Sequence, residues 1–201
     1  MTTKAERTTQ FIVQTIAPIF NRKGYAATSL NDITSATGLT KGAVYGNFEN
    51  KETLYLYCFD HLANLVISNL EQQVALENDP MEALLQFANF YKGYYEFTDA
   101  IGGCPIVNFG TDSKFQNGDM TRKVQEAIHH IEMIMASLIE KGKLNGAIRR
   151  NIKGDVYSKR FYSLIQGAVY MTQVTNDPSY LRDAMNVIID TMNQRFKTTS
   201  S

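Results

Sequence analysis

The sequence has no tryptophan, four prolines and only two cysteines, Cys58 and Cys104, in 201 residues. Two thiols cannot build a disulfide framework, which fits a reducing compartment, and a cytoplasmic location is expected. No apolar run approaches the ~18 residues needed to cross a bilayer, so no membrane partner is expected. The opening MTTKAERTTQFIVQTIAPIF lacks a clean apolar block and a small-residue cleavage site, and it does not read as a signal peptide. Charge of one sign is missing too. Twenty Lys and Arg meet twenty Asp and Glu, which argues against a protein that coats nucleic acid over its whole surface. There is no Ser-His-Asp arrangement and no phosphate loop, so neither catalysis nor a cofactor is expected.

What is present is helix. Hydrophobic residues make up 44% of the chain, strand-like alternation is scarce, and the breaks fall at Gly, Asn-Asp-Pro and Asn-Gly. The periodicity predicts a first helix over Lys4 to Lys23, bent at Pro18 and stopped by Gly24. A short second helix starts after Thr28 or Ser29, with Asp32 in its first turn, and ends near Thr37. Gly38-Leu39 makes a turn, and Thr40 caps a third helix running to Phe48. A fourth follows from about Asn50 to Glu77. Five more are expected at about Met81 to Thr98, Pro105 to Ser113, Asp119 to Lys143, Gly154 to Thr175 and Ser179 to Lys197, with a frayed KTTSS tail. The expected fold is all-α with about nine helices, divided into a helix-turn-helix DNA-binding domain over 1–50 and a helical effector-binding and dimerisation domain over 51–201.

Two short helices joined by a tight glycine turn, with a third behind them, form a helix-turn-helix, whose second helix enters the major groove N-terminal end first. Ile33, Leu39, Val44 and Phe48 fill its small core. Thr40, Lys41, Gly42, Ala43, Tyr45 and Asn47 are left at the helix start or on its outward side. Gly42 lets the backbone come close to bases, and Ala43 suits a thymine methyl. Lys41 can donate to guanine or phosphate, while Tyr45, Asn47 and Lys51 suit phosphate oxygens.

The stretch TSLNDITSATGLTKGAVYGNFENKETL resembles the DNA-binding domain of the tetracycline-repressor (TetR) family, over residues 8 to 55. The resemblance implies a homodimeric bacterial transcription regulator, usually a repressor, that meets a double-stranded DNA operator and a small-molecule effector. It places Thr28, Lys41, Tyr45, Asn47 and Lys51 where relatives contact DNA, and Gly42 and Ala43 where bases are approached. Many relatives carry histidine at the position of Asn47.

The remainder is rich in aromatics and methionine, among them Phe87, Phe97 and Phe115. Such stripes are usually core, but tyrosine hydroxyls and soft thioethers can also line an apolar pocket. With the family resemblance, a cavity for a small apolar or aromatic effector is expected, lined by Phe90, Tyr94, Cys104, Phe109, Met133 and Tyr170. Cys104 falls just before Pro105 at a helix start, where a thiolate is stabilised. The alternatives are therefore a thiol-based electrophile or redox sensor using Cys104 and an effector-independent DNA-binding dimer. Cys58 with His61, and His129 with His130, are too few for a metal site and read as structural. The last two long helices are expected to form the dimer interface as a four-helix bundle. Leu164, Ala168 and Met171 are the candidates on the first, and Leu181, Met185, Ile188, Ile189, Met192 and Phe196 on the second.

Overall fold

The computed structural model describes residues 3–113 and 117–198. Phe115 and the last three residues of the tail expected to fray lie outside that range. The described residues form ten α-helices and one terminal π-helix, with no strand beyond a single antiparallel bridge between Ile148 and Lys197. They are α1 Lys4–Ala27, α2 Leu30–Thr37, α3 Lys41–Tyr45, α4 Lys51–Val74, α5 Pro80–Lys92, α6 Tyr94–Asp99, α7 Pro105–Ser113, α8 Gly118–Leu144, α9 Gly154–Thr175, α10 Ser179–Thr191 and the π-helix Met192–Phe196. No helix among them is long and apolar enough to cross a membrane.

The chain divides into two compact units. The first takes the residues up to Leu65 together with Thr98–Gln125, and the second takes Val66–Phe97 with the residues from Glu126 onward. The boundary therefore falls inside α4 rather than at residue 50. The physical reason is that α7, although far along the chain, packs on α1 and α4.

In the first unit α1 begins in a capping box. Glu6 N–H donates to Thr3 Oγ1 at 3.2 Å while Thr3 N–H donates to Glu6 Oε2 at 2.6 Å. Its regular backbone stops at Gly24 (φ 78°, ψ 173°), as expected, and a further helical turn to Ala27 follows across that kink. Ile12, Ile16, Ala17 and Phe20 are buried, as are Leu54, Tyr55, Cys58, Phe59 and Leu62 of α4. The aromatic centre of this core is Tyr55, whose ring lies 5.0 Å from Phe20 edge-on and 4.8 Å from Phe109 in a stack.

In the second unit the helix expected over 81–98 is two helices, because the chain breaks at Gly93. Asp79 caps α5 by accepting from Met81 and Glu82 N–H, with Pro80 in the first turn. At the C-terminus the α-helix ends at Thr191 and the wider π-turn Met192–Phe196 takes over. Phe196 is fully buried against Tyr157 (4.9 Å, edge-on) and Phe161 (5.9 Å, stacked). Leu181, Met185, Ile188, Met192 and Phe196 are thus core of this chain rather than an exposed interface, and so is Ala168. The outward apolar residues of α9 are Leu164, Tyr170, Met171 and Val174, and those of α10 are Tyr180 and Val187.

Candidate nucleic-acid interface

The reading head is assembled by local hydrogen bonds. Ser29 caps α2 through a second capping box: Asp32 N–H donates to Ser29 Oγ at 3.1 Å and Ser29 N–H to Asp32 Oδ2 at 2.8 Å. Lys23 Nζ reaches Asp32 Oδ1 at 2.7 Å. Lys23, then the Ser29 hydroxyl and N–H, hold the Asp32 carboxyl well below the usual carboxylate range. Such a group binds fewer protons folded than unfolded. Its stabilisation is present above the unfolded value of about 3.9 and is lost as pH falls toward its folded value. Protection of α2 amides, relative to their intrinsic exchange rates, is expected to fall below about pH 4, and Asp32→Asn should remove that dependence; an unchanged profile in the variant would contradict the assignment.

The turn is closed at Gly38, which takes the left-handed conformation (φ 68°) and donates its N–H to Thr34 O at 2.9 Å. Thr40 then caps α3, its Oγ1 accepting from Ala43 N–H at 3.2 Å. The hydroxyl hydrogen of Thr40 stays available to a phosphate oxygen. α3 ends at Tyr45, short of Phe48. Past it the chain tightens, with Asn47 N–H on Val44 O at 3.0 Å and Phe48 N–H on the same oxygen at 3.2 Å. Val44, Phe48 and Ile33 are buried and anchor α3 from inside.

The eight residues expected to face DNA separate into two groups. Thr40, Lys41 and Gly42 are exposed, and Ala43 and Tyr45 are half-buried beside them. A Cβ at Gly42 would meet nothing within 4 Å, so packing within the chain does not require glycine there. At Gly46 a Cβ would approach Gly42 O at 3.2 Å, which accounts for that second glycine. The other three are held by the protein. Thr28 is fully buried and its Oγ1 donates to Gly24 O at 2.8 Å, so this hydroxyl finishes α1 rather than facing outward. Asn47 Nδ2 donates to Ala43 O at 2.8 Å while its Oδ1 accepts from Thr9 Oγ1 at 3.0 Å, joining α3 to α1. Lys51 Nζ donates to Tyr25 O at 2.6 Å and sits 4.3 Å above the Tyr25 ring.

Sequence reasoning missed the residues that fasten this head from α7. Asp112 Oδ2 accepts from Tyr25 N–H at 2.7 Å and from the buried Tyr55 hydroxyl at 2.6 Å. Burial, then the Asp112 carboxylate, push the Tyr55 hydroxyl well above its ordinary range. Asn108 Nδ2 donates to Asn21 O at 3.0 Å and Gly102 O at 3.0 Å, while Asn21 Nδ2 donates to Ile101 O and Gly103 O. The available signal was the Asn108–Asp112 spacing of one helical turn inside an apolar stretch.

The six expected effector residues are divided between the two units. Cys104 and Phe109 belong to the first unit, and Phe90, Tyr94, Met133 and Tyr170 to the second. Phe109 stacks on Tyr55, and Cys104 is fully buried. Phe90 and Tyr94 are core aromatics, 5.7 Å apart between centroids and both against Tyr91. Tyr170 is half-exposed on the outward side of α9. Met133 lines a groove in the second unit. That groove has a volume of about 580 Å³ and is walled by Val74, Ala83, Ile134 and Leu138, with Glu71, His130 and Lys141 among its polar residues. His130 Nε2 lies 3.0 Å from Glu71 Oε1. Burial lowers the His61 pKa and raises that of the Cys58 thiol, as expected of packed side chains. No group of three metal-ligating side chains occurs among the described residues.

The comparisons with known proteins agree with this geometry. Residues 12–58 match the family described as "Bacterial regulatory proteins, tetR family", and residues 80–188 match "Tetracyclin repressor-like, C-terminal domain". The helix-turn-helix-type transcriptional repressor DhaR of a Mycobacterium species (strain GP1) is 23% identical over 91% of this chain and 91% of its own length. The helix-turn-helix-type negative transcriptional regulator IcaR of the biofilm operon icaADBC in Staphylococcus aureus (strain Newman) is 31% identical over 66% of this chain and 70% of its own. The crystal structure of a TetR-family transcriptional regulator from Cytophaga hutchinsonii superposes with a TM-score of 0.91 at 31% identity, covering all of both chains.

Proposed function

Since this chain belongs to the TetR family of bacterial DNA-binding transcriptional regulators, we propose that it acts as a homodimeric repressor, released from a near-palindromic operator by a small apolar or aromatic effector. The observation that carries this reading is the edge formed by the exposed Thr40, Lys41 and Gly42 and the half-buried Ala43 and Tyr45 on a helix anchored from behind by Val44 and Phe48. It presents a cation, hydroxyls and an unobstructed backbone to a groove. The relatives DhaR and IcaR, named as a repressor and a negative regulator, support repression as the output.

Dimerisation is supported by the outward apolar residues of α9 and α10. Leu164, Met171 and Val174 lie three or seven apart on α9, on one side of the helix. An effector is supported by the groove at Met133, whose volume falls in the usual range for small ligands. Because α4 runs through both units, a ligand that prefers one setting of this helix changes the spacing of the two reading heads. DNA and effector then weaken each other reciprocally. Burial of Cys104 disfavours the thiol-sensor reading.

Selection of bound fragments from a random DNA pool tests the proposal. It should return paired half-sites, and binding should weaken steeply with salt as phosphate contacts release counterions. Absence of any preferred sequence would refute it. Gly42→Ala separates reading from folding. Alanine favours the helix by up to about 1 kcal/mol, and its methyl meets nothing in the protein. Thermal stability should hold or rise while operator affinity falls about tenfold or more, the loss of roughly one good base contact. Unchanged affinity would mean that bases are not approached at this position.

A further inference from the structure

Asn-Gly occurs twice in the chain, at Asn117–Gly118 and Asn145–Gly146, and the two pairs are held differently. Asn145 and Gly146 are exposed, in the turn that leads from α8 to the bridge at Ile148. The turn is pinned at both ends: Asn145 N–H donates to Lys141 O at 3.1 Å and Ile148 N–H to Gly142 O at 2.8 Å. Inside it Asn145 Oδ1 accepts from Ala147 N–H at 3.0 Å, an Asx turn that folds the side-chain carbonyl back along the Gly146 peptide. Gly146 takes φ 82°, and a Cβ there would meet nothing within 4 Å, so no side chain screens its nitrogen.

Asn117 is committed to other work. Its Oδ1 accepts from Met120 N–H at 2.9 Å and caps α8, while its Nδ2 donates to Glu52 Oε1 at 2.8 Å. Gly118 is already the first residue of that helix. A side-chain amide fixed in this way must give up both bonds before it can react with its own backbone.

We propose that Asn145 is a self-modification site, which the folded chain converts to aspartate and isoaspartate without an enzyme. The Gly146 nitrogen attacks Asn145 Cγ, forming a C–N bond and giving its proton to solvent base. The Cγ–Nδ2 bond breaks, ammonia leaves into water with a proton from solvent, and a succinimide ring remains. Ala147 N–H already donates to the oxygen on which negative charge builds during the attack. Water then opens the ring. Addition at Cγ restores the ordinary main chain as aspartate, and addition at the main-chain carbonyl routes the backbone through the side chain as isoaspartate. No oxidant or reductant takes part. Isoaspartate lengthens the main chain by one carbon just ahead of the contacts that hold the C-terminal segment. Gly146 O accepts from Thr198 Oγ1 at 3.0 Å and Ala147 O from Thr198 N–H at 3.3 Å, while Arg149 N–H donates to Phe196 O at 2.8 Å. The modification therefore loosens that segment from the turn after α8.

The test ages the full-length protein in mildly alkaline buffer and follows both asparagines by peptide mass mapping that separates aspartate from isoaspartate. In the folded protein Asn145 should convert at least about tenfold faster than Asn117, because ring closure at Asn117 first breaks a helix cap. The rate at Asn145 should rise in proportion to hydroxide. In urea the cap and the turn are both lost, and the two rates should converge. Asn145→Gln, which would have to close a larger ring, should abolish conversion at this position while keeping the parent melting temperature. In aged protein carrying isoaspartate the Arg149 and Thr198 amides should exchange faster than in the fresh protein. The proposal is overturned by an intact Asn145 after ageing, by equal rates at the two sites in the folded protein, by a rate ratio that urea leaves unchanged, or by undiminished protection of Arg149 and Thr198 in the isoaspartate form.

Discussion

Aspartates introduced together at Met171 and Val174 are expected to leave a folded monomer whose operator affinity falls at least about a hundredfold, the loss of one of two linked half-site interactions. Both side chains already face water in the single chain, Met171 at 37% and Val174 at 62% exposure, so folding does not depend on their burial. Leu164 on the same helix, and Tyr180 and Val187 on α10, are exposed apolar side chains as well, and clusters of such residues mark interaction surfaces. A two-fold interface presents the same patch from both subunits, so each introduced charge enters it twice. Sedimentation gives the mass, and an operator titration in the same buffer gives the affinity. A variant that remained dimeric would place the interface elsewhere. A monomer with parental affinity would remove the need for two reading heads.

Asp112→Ala is expected to destabilise the chain by about 3 kcal/mol, because it strips the acceptor from two donors at once. One is the hydroxyl of Tyr55, 1% exposed, and the other is the N–H of Tyr25. For a chain of this length the melting temperature should drop by about 6–12 °C. Asp112→Asn retains an oxygen in the same place and should lose less. The backbone under the carboxylate is specialised for this contact. Gly24 has φ 78°, and a Cβ there would lie 3.0 Å from Asp112 Oδ1. Tyr25 immediately precedes the segment leading to the Ser29 cap, so operator affinity should fall along with stability. A melting temperature within a degree of the parent would show that water replaces the carboxylate without loss.

Much of the reading head is legible in the sequence because its determinants are local. Ser29 with Asp32, Gly38, and Thr40 before Lys41 are capping and turn signals whose partners lie within four residues. Thr28 and Asn47 are harder. Resemblance marks them as DNA contacts, but only coordinates reveal that their polar atoms are taken up by Gly24, Ala43 and Thr9. Asp112 is invisible to local reasoning, since Tyr25 and Tyr55 are 87 and 57 residues away. The periodicity of α10 correctly groups Leu181, Met185 and Ile188 on one face. Periodicity does not say whether that face meets its own chain or another, and here it is buried within its own. For effector residues, composition identifies aromatics without separating packed rings such as Phe90 and Tyr94 from groove-lining ones.

The way α7 returns to the amino-terminal helices bears on protein engineering. Recombining sensors and DNA specificities among relatives by splicing chains near residue 50 or 65 would strand Tyr55 and Phe59 without the ring of Phe109 that packs on both. A transplantable module must carry Thr98–Gln125 along with the first sixty-five positions, so functional hybrids need three crossovers rather than one.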